Sequence, residues 1–220
     1  MKRMSNFLVI TGLLLWSCNE TEKKSTATAT EIVTESNTVT TAETPPAAPM
    51  DSATIAKNWE AYMTPSDVHK MMASWDGKWN ATVTSWQSPG ATPEISQGTA
   101  TNSMIMGGRY QQAMFAGTMM GQPFEGRSLL AYDNAKRTFT STWIDNMGTG
   151  VMVVEGPWDE TTKSMTLKGM AVDPSAGTGK EVPVREVYKI IDDKTHLMEM
   201  YGNGPDGKEF KMMEIKYSRK

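Results

Sequence analysis

Few residues in this chain have the type and spacing to do chemistry, and the clearest is a thiol. Cys18, the single cysteine, follows a basic start at Lys2 and Arg3 and an apolar run from Phe7 to Trp16, closing the tetrapeptide Leu15-Trp16-Ser17-Cys18. A small residue before a cysteine in that setting is where a lipoprotein signal peptidase cuts, and the thiol, alkylated with diacylglycerol, becomes the new N-terminus. The apolar stretch is too short to span a membrane, and one cysteine has no disulfide partner in its own chain. Residues 1–17 are therefore expected to be a lipoprotein signal peptide, with the membrane reached through a lipid on Cys18.

The remaining chemistry is sparse. The thiol is committed to acylation, no Gly-x-Ser-x-Gly elbow exists, and the two histidines, His69 and His196, sit on distant segments. Neither a nucleophilic triad nor a zinc site of the usual His/Cys kind finds enough ligands. His196 shares a segment with Met198 and Met200; projecting into a barrel it could ligate haem iron, and otherwise it is a hydrogen-bonded or rim histidine. The 19 methionines are spread along the chain, which suits adaptable core and pocket filling better than a copper(I) site built on thioethers. Trp143 with Asp145, beside Tyr132, Ser128 and Gly126, offers aromatic surface and one acid at the same end of an interior row, an arrangement suited to orienting a small guest. The competing reading makes Trp143 core and Asp145 a turn cap.

Composition limits the partners. Without Lys2 and Arg3 the 22 basic residues fall to 20 against 25 acidic, a formal charge of −5. No basic stripe is present to attract nucleic acid or anionic lipid head groups. Residues 18–56 are rich in Thr, Ala, Glu, Ser and Pro and lack aromatics, so they cannot bury a core and are expected to form a disordered tether spanning roughly 30–35 Å. Residues 57–220 remain for one domain.

That domain opens with a helix signal at Thr64-Pro65-Ser66-Asp67, where a hydroxyl cap, a proline and an acid are followed by Val68, Met71, Met72 and Trp75 on one stripe. Lys70 and His69 point off the stripe, toward solvent. From Gly77 the period changes to two, and turn signals recur, among them Ser88-Pro89-Gly90, Gly107-Gly108, Gly121-Gln122-Pro123, Asp133-Asn134-Ala135-Lys136 and Asp192-Asp193-Lys194. About ten antiparallel strands without a helical crossover leave a choice between an up-and-down barrel and a sandwich.

One hairpin orients the sheet. Folding Phe124–Tyr132 onto Thr138–Asp145 sets Tyr132 opposite Phe139, Ser128 opposite Trp143 and Gly126 opposite Asp145 on one face, with Glu125, Arg127, Thr138, Thr140 and Thr142 on the other. The second face is the wet one. Phe124, Leu130, Tyr132, Phe139 and Trp143 then point inward, and Gly126 and Ser128 either seat the indole or leave room beside it. By the same alternation Trp79, Ala81 and Val83 face inward, and Met213, Ile215, Tyr217 and Arg219 share a face.

A short helix, then Gly77-Lys78-Trp79, and an arginine ending the last strand together resemble the lipocalin and wider calycin pattern. That resemblance implies closure of one barrel end by Trp79 with Arg219 stacked on it, a contact of about 0.5–2 kcal/mol. Pro123-Phe124-Glu125-Gly126, Tyr132-Asp133-Asn134-Ala135-Lys136, Ser141 to Gly150, Met200-Tyr201 and Gly204 to Phe210 resemble the uncharacterised bacterial family known as domain of unknown function 1579, from about Met72 to Lys220. The resemblance brings no catalytic residue with it. The cysteine tetrapeptide and Thr-rich tether are similar to those of Bacteroidetes lipoproteins, which implies a lipid-anchored position in the bacterial cell envelope, at the outer membrane facing periplasm or surface.

The expected molecule is thus all-β, a lipocalin-like barrel of about ten antiparallel strands with a short N-terminal helix. Its expected role is non-catalytic binding of a small apolar molecule, without a cofactor. The alternatives are a packed scaffold or interaction module and, third, acid–base chemistry through Asp145 or haem on His196. Cys18→Ala should abolish lipid attachment, since no other thiol can take the lipid; continued incorporation of labelled palmitate by that variant would overturn the signal-peptide reading.

Overall fold

The computed structural model describes residues 50–220; Cys18 with its tetrapeptide, and the expected tether up to residue 49, lie outside the described residues. Two helices precede the sheet. Asp51 caps α1 (Ser52–Met63) by accepting from the Thr54 N–H at 2.9 Å. This helix crosses the expected boundary between residues 56 and 57, because a cap and ordinary helix formers suffice to start it even where composition reads as linker. It buries none of its residues.

Helix α2 (Asp67–Ser74) starts two residues later than its sequence signal suggests. Ser66 is the cap, while Thr64 ends α1, its N–H and Oγ1 both donating to the Glu60 carbonyl at 3.0 and 2.7 Å. His69, expected in solvent, is buried: its Nδ1 accepts from the Ser66 N–H at 3.1 Å, and its ring meets Tyr132 edge-on at 5.9 Å. The capping role turns the imidazole back toward the barrel. Met72 and Trp75, from the expected stripe, are buried.

Ten antiparallel strands close into a barrel: β1 (Gly77–Ser85), β2 (Glu94–Ile105), β3 (Tyr110–Met119), β4 (Gln122–Asp133), β5 (Thr138–Asp145), β6 (Met152–Gly156), then, after the two-residue β7 (Trp158–Asp159), β8 (Ser164–Val172), β9 (Glu181–Asp192), β10 (Thr195–Asn203) and β11 (Glu209–Arg219). Each strand pairs with its sequence neighbour, save at two places. The ring closes where β1 meets β11, from Trp79↔Arg219 to Ser85↔Met213, and where β6 meets β8 over Val153↔Met170, Val154↔Gly169 and Glu155↔Lys168. The β4–β5 register matches the sequence expectation residue for residue, with Tyr132↔Phe139, Ser128↔Trp143 and Gly126↔Asp145.

The β6–β8 seam depends on the absence of side chains. A Cβ on Gly156 would lie 1.9 Å from the Thr166 carbonyl oxygen, and one on Gly169 would lie 2.1 Å from that of Val153. Only glycine lets these backbones approach so closely.

One end of the barrel is plugged by α2. A helix end leaves its last carbonyls without intrahelical donors, and here barrel side chains supply them. Gln111 donates to the Met72 carbonyl at 2.6 Å, Trp79 Nε1 and Asn102 to that of Trp75 at 3.0 and 3.3 Å, and Arg219 to those of Ser74 and Asp76, each at 2.7 Å. The guanidinium also lies 4.3 Å from the centre of the Trp79 ring, which is 1% exposed. Around this plug Met72, Trp75, Leu130, Phe139, Val154, Met165, Leu167 and Val184 form the main core.

Trp79→Ala should destabilise the domain by about 3–5 kcal/mol, as a buried aromatic deletion does. Arg219→Ala should cost less, and the double variant should cost less than the sum, because the two residues share one contact; strict additivity in a chemical-denaturation cycle would contradict the stacked arrangement.

Candidate functional site

The residues singled out by sequence do not form one cluster. Tyr132 lies at the plugged end, tilted against Phe139 at 4.9 Å and edge-on to His69. Trp143 and Asp145 lie at the opposite end of their strand, where β5 leads into its turn. Ser128 is between them, its Oγ 3.4 Å from that of Ser141.

Asp145 is fully engaged. Its Oδ2 accepts from Trp143 Nε1 at 2.8 Å, and its Oδ1 accepts from the N–H groups of Met147 and Gly148 at 2.9 and 3.1 Å. One carboxylate therefore caps the turn and holds the indole. The indole lies over Gly126, where a Cβ would come within 2.2 Å of it, so the space beside that glycine is filled by Trp143 itself. Phe124 stacks on Trp143 at 6.4 Å and meets Phe115 at 5.9 Å, forming an aromatic wall toward the unplugged end. Acid–base chemistry through Asp145 would have to compete with these three hydrogen bonds.

His196 belongs to the plug. Its ring lies 4.3 Å from that of Trp79, on which Arg219 also rests, and Trp75 and Tyr188 meet it edge-on at 6.1 and 5.6 Å. Burial, helped by the Arg219 charge and opposed by Asp192 and Asp193, pushes the imidazole down to about 4. Burial also holds the Tyr188 phenol well above its usual range. The Tyr188 hydroxyl and His196 Nδ1 share a 2.8 Å hydrogen bond whose donor is set by the imidazole tautomer. The ring is enclosed by Trp75, Trp79 and Tyr188 and is 1% exposed. An axial haem ligand needs open space at its coordinating nitrogen, which this enclosed imidazole does not offer.

Sequence reasoning missed the central polar group, Glu186 on β9. Leu167, which is 3% exposed, and Met200, packed on the main core, stand directly across from it, and cross-strand partners share a face, so the carboxylate points inward. Among the described residues it has no hydrogen-bond or ion-pair partner, yet neither oxygen is sealed from solvent-sized space. Burial raises it to about 7. Tyr217, two strands away, is pushed up by burial and then by the charge of Glu186.

The interior therefore differs along its axis. Trp79, Phe139, Met165 and His196 at the plugged end are buried, whereas the inward-facing Phe115, Trp143, Glu186, Met198, Met213 and Tyr217 each keep part of their surface accessible. The inward-facing side chains away from the plug are thus less tightly enclosed than those beneath α2.

Residues 64–219 match the family described as Protein of unknown function (DUF1579). No curated protein matches the chain. Among solved structures, the crystal structure of Rv2717c from M. tuberculosis is similar at 12% identity over 71% of this chain and 99% of that one, with a TM-score of 0.55, a likeness of fold alone. A redesigned β-barrel, b11L5F_LGL, aligns at 15% identity over 68% of this chain and 94% of its own with a TM-score of 0.34, which carries no argument.

Two ionisable groups on the inward face oppose each other in pH. His196 binds its proton less well folded than unfolded, so between its unfolded value near 6.5 and about 4 its contribution, roughly 3 kcal/mol in all, is lost as pH falls. Glu186 binds its proton better folded, so its contribution is lost as pH rises from about 4.5 toward 7. Relative to the parent, Glu186→Gln should therefore gain stability as pH is raised through this window, and His196→Gln should lose it. Parallel stability–pH curves for all three proteins in urea titrations would contradict the burial of these groups.

Proposed function

The chain belongs to the DUF1579 family of proteins of unknown function, and on that premise we propose that it binds a small, largely apolar molecule inside its barrel without catalysing a reaction. It does so as an envelope lipoprotein held to the bacterial membrane by the lipid on Cys18. The observation that carries the reading is the asymmetric interior: a plug of fully buried side chains at one end, and inward-facing aromatics and methionines with accessible surface toward the other. Apolar lining with few polar groups is the usual make-up of a small-molecule site, and methionines adapt to an irregular guest. The use of Asp145 to hold the Trp143 indole and its turn, and of His196 within the plug, supports binding over chemistry.

A second reading, an interaction module with the barrel as scaffold, is favoured by the outer wall. Leu129, Val153 and Met170 lie in one row across the sheet through Thr142, with Ile144 alongside, and each of these four is at least 37% exposed. Apolar residues grouped on a wet face are a common mark of protein contact.

Native mass spectrometry of protein from its own host, with binding of the neutral dye N-phenyl-1-naphthylamine to stripped protein, separates the two. The lumen reading expects a retained small molecule or dye binding, and loss of either in Met200→Trp, whose larger side chain fills the interior while the fold stays cooperative. No retained molecule and no dye binding would sink it in favour of the scaffold. Dye binding unchanged in Met200→Trp would move the site to the surface.

A further inference from the structure

Strand alternation directs Asp145, Glu186 and Arg219 into the barrel, with Glu94 on the same face at the exposed start of β2, and Asp145 and Arg219 are already engaged. Asp145 near the mouth is bound by the Trp143 indole and two backbone N–H groups, and Arg219 at the base donates to the carbonyls of Ser74, Asp76 and Asp193. Glu186, midway between, has no such partner among the described residues. A carboxylate that faces an apolar interior with no donor beside it keeps only part of its hydration, which leaves it open to a partner that supplies charge and hydrogen bonds.

We infer that Glu186 is the anchor of a cationic head-group site, and that the molecule taken up by the barrel is an apolar body bearing a protonated amine. This rests on the lumen-binding reading and adds the class of ligand to it. Geometry supplies the surroundings: Leu167 and Met200 directly across the carboxylate, Tyr188 two residues along the same strand, and Tyr217 close enough to sense its charge. The carboxylate can accept charge-assisted hydrogen bonds from an ammonium group, while the phenol rings offer the faces that attract cations. The remaining wall, with Phe115, Phe124, Met198 and Met213, suits the apolar body. The same carboxylate repels a fatty acid, so the barrel should discriminate against the anionic lipids that its overall shape would admit.

The groups facing Glu186 leave it as the one titrating there near neutrality. Leu167 and Met200 do not ionise, and Tyr188 and Tyr217 are held protonated by burial. Burial that raises Glu186 to about 7 also means that a bound ammonium would draw it into its charged form.

The test displaces N-phenyl-1-naphthylamine from the stripped full-length protein with decylamine, decanol and decanoate, at mildly alkaline pH and below their aggregation limits. Decylamine should compete at concentrations lower by roughly ten-fold or more than decanol, as expected for one charged hydrogen bond, with decanoate weakest. Glu186→Gln should keep dye binding and lose the preference for the amine. Equal competition by the three in the parent protein, or a preference that survives in Glu186→Gln, would overturn the assignment while leaving the lumen reading in place. The parent series decides the matter even if the variant folds poorly. Failure of the dye to bind the parent protein at all would overturn the lumen reading and this inference together.

Discussion

The unsatisfied carbonyls at the end of one short helix are the constraint on which the rest of the structure depends. A helix of eight residues is too short to be stable alone, and its terminal acceptors would be costly to bury without donors. The barrel provides those donors from strands far apart in sequence, Gln111 on β3, Asn102 on β2, Trp79 on β1 and Arg219 on β11. The helix therefore fits one end of one barrel. Arg219 places a positive charge where the helix dipole is negative and covers the indole that seals the floor, so electrostatics, hydrogen bonding and apolar burial meet in one side chain.

Fixing the floor in this way leaves the remainder of the lumen free to differ. Large side chains converge beneath α2, where His196, Trp79 and Tyr188 form a satisfied polar and aromatic layer. Farther along, the inward positions include Gly98, Gly117, Gly126 and Ser96, and the aromatic wall leans over the smallest of them. A Cβ at Gly98 would meet the Phe115 ring at 2.5 Å, much as one at Gly126 would meet Trp143. Glycine in these strands serves as a seat for a ring, which shapes the wall without filling the centre.

Much of this was legible in the sequence, and what was not has identifiable physical causes. The β4–β5 hairpin could be read in full because Glu125, Arg127, Thr138, Thr140 and Thr142 mark one face as wet, which leaves a single register. Trp79 and Arg219 could be paired through a family pattern. His69 was misread because its burial comes from a reciprocal bond with the Ser66 backbone, which a helical wheel does not represent. Helix α1 was missed because nothing buries it, so its pattern carries no core-facing stripe. Glu186 was hidden by its neighbours: in Val184-Arg185-Glu186-Val187 two adjacent charges lie between two buried valines, and strict alternation cannot tell which charge faces inward until Leu167 and Met200 appear across from it.

The pairing of the first strand with the last sets the order in which the molecule can become itself. Arg219 reaches the Asp76 carbonyl across 143 positions of chain, whereas most other strand pairings join immediate neighbours. Hairpins can therefore assemble early and locally, but the floor stays open and Trp79 stays wet until β11 arrives. Closure is thus timed by β11: until Glu209–Arg219 is in place, β1 and β10 each keep an unpaired edge, the kind of backbone that recruits foreign strands and other copies of the same one.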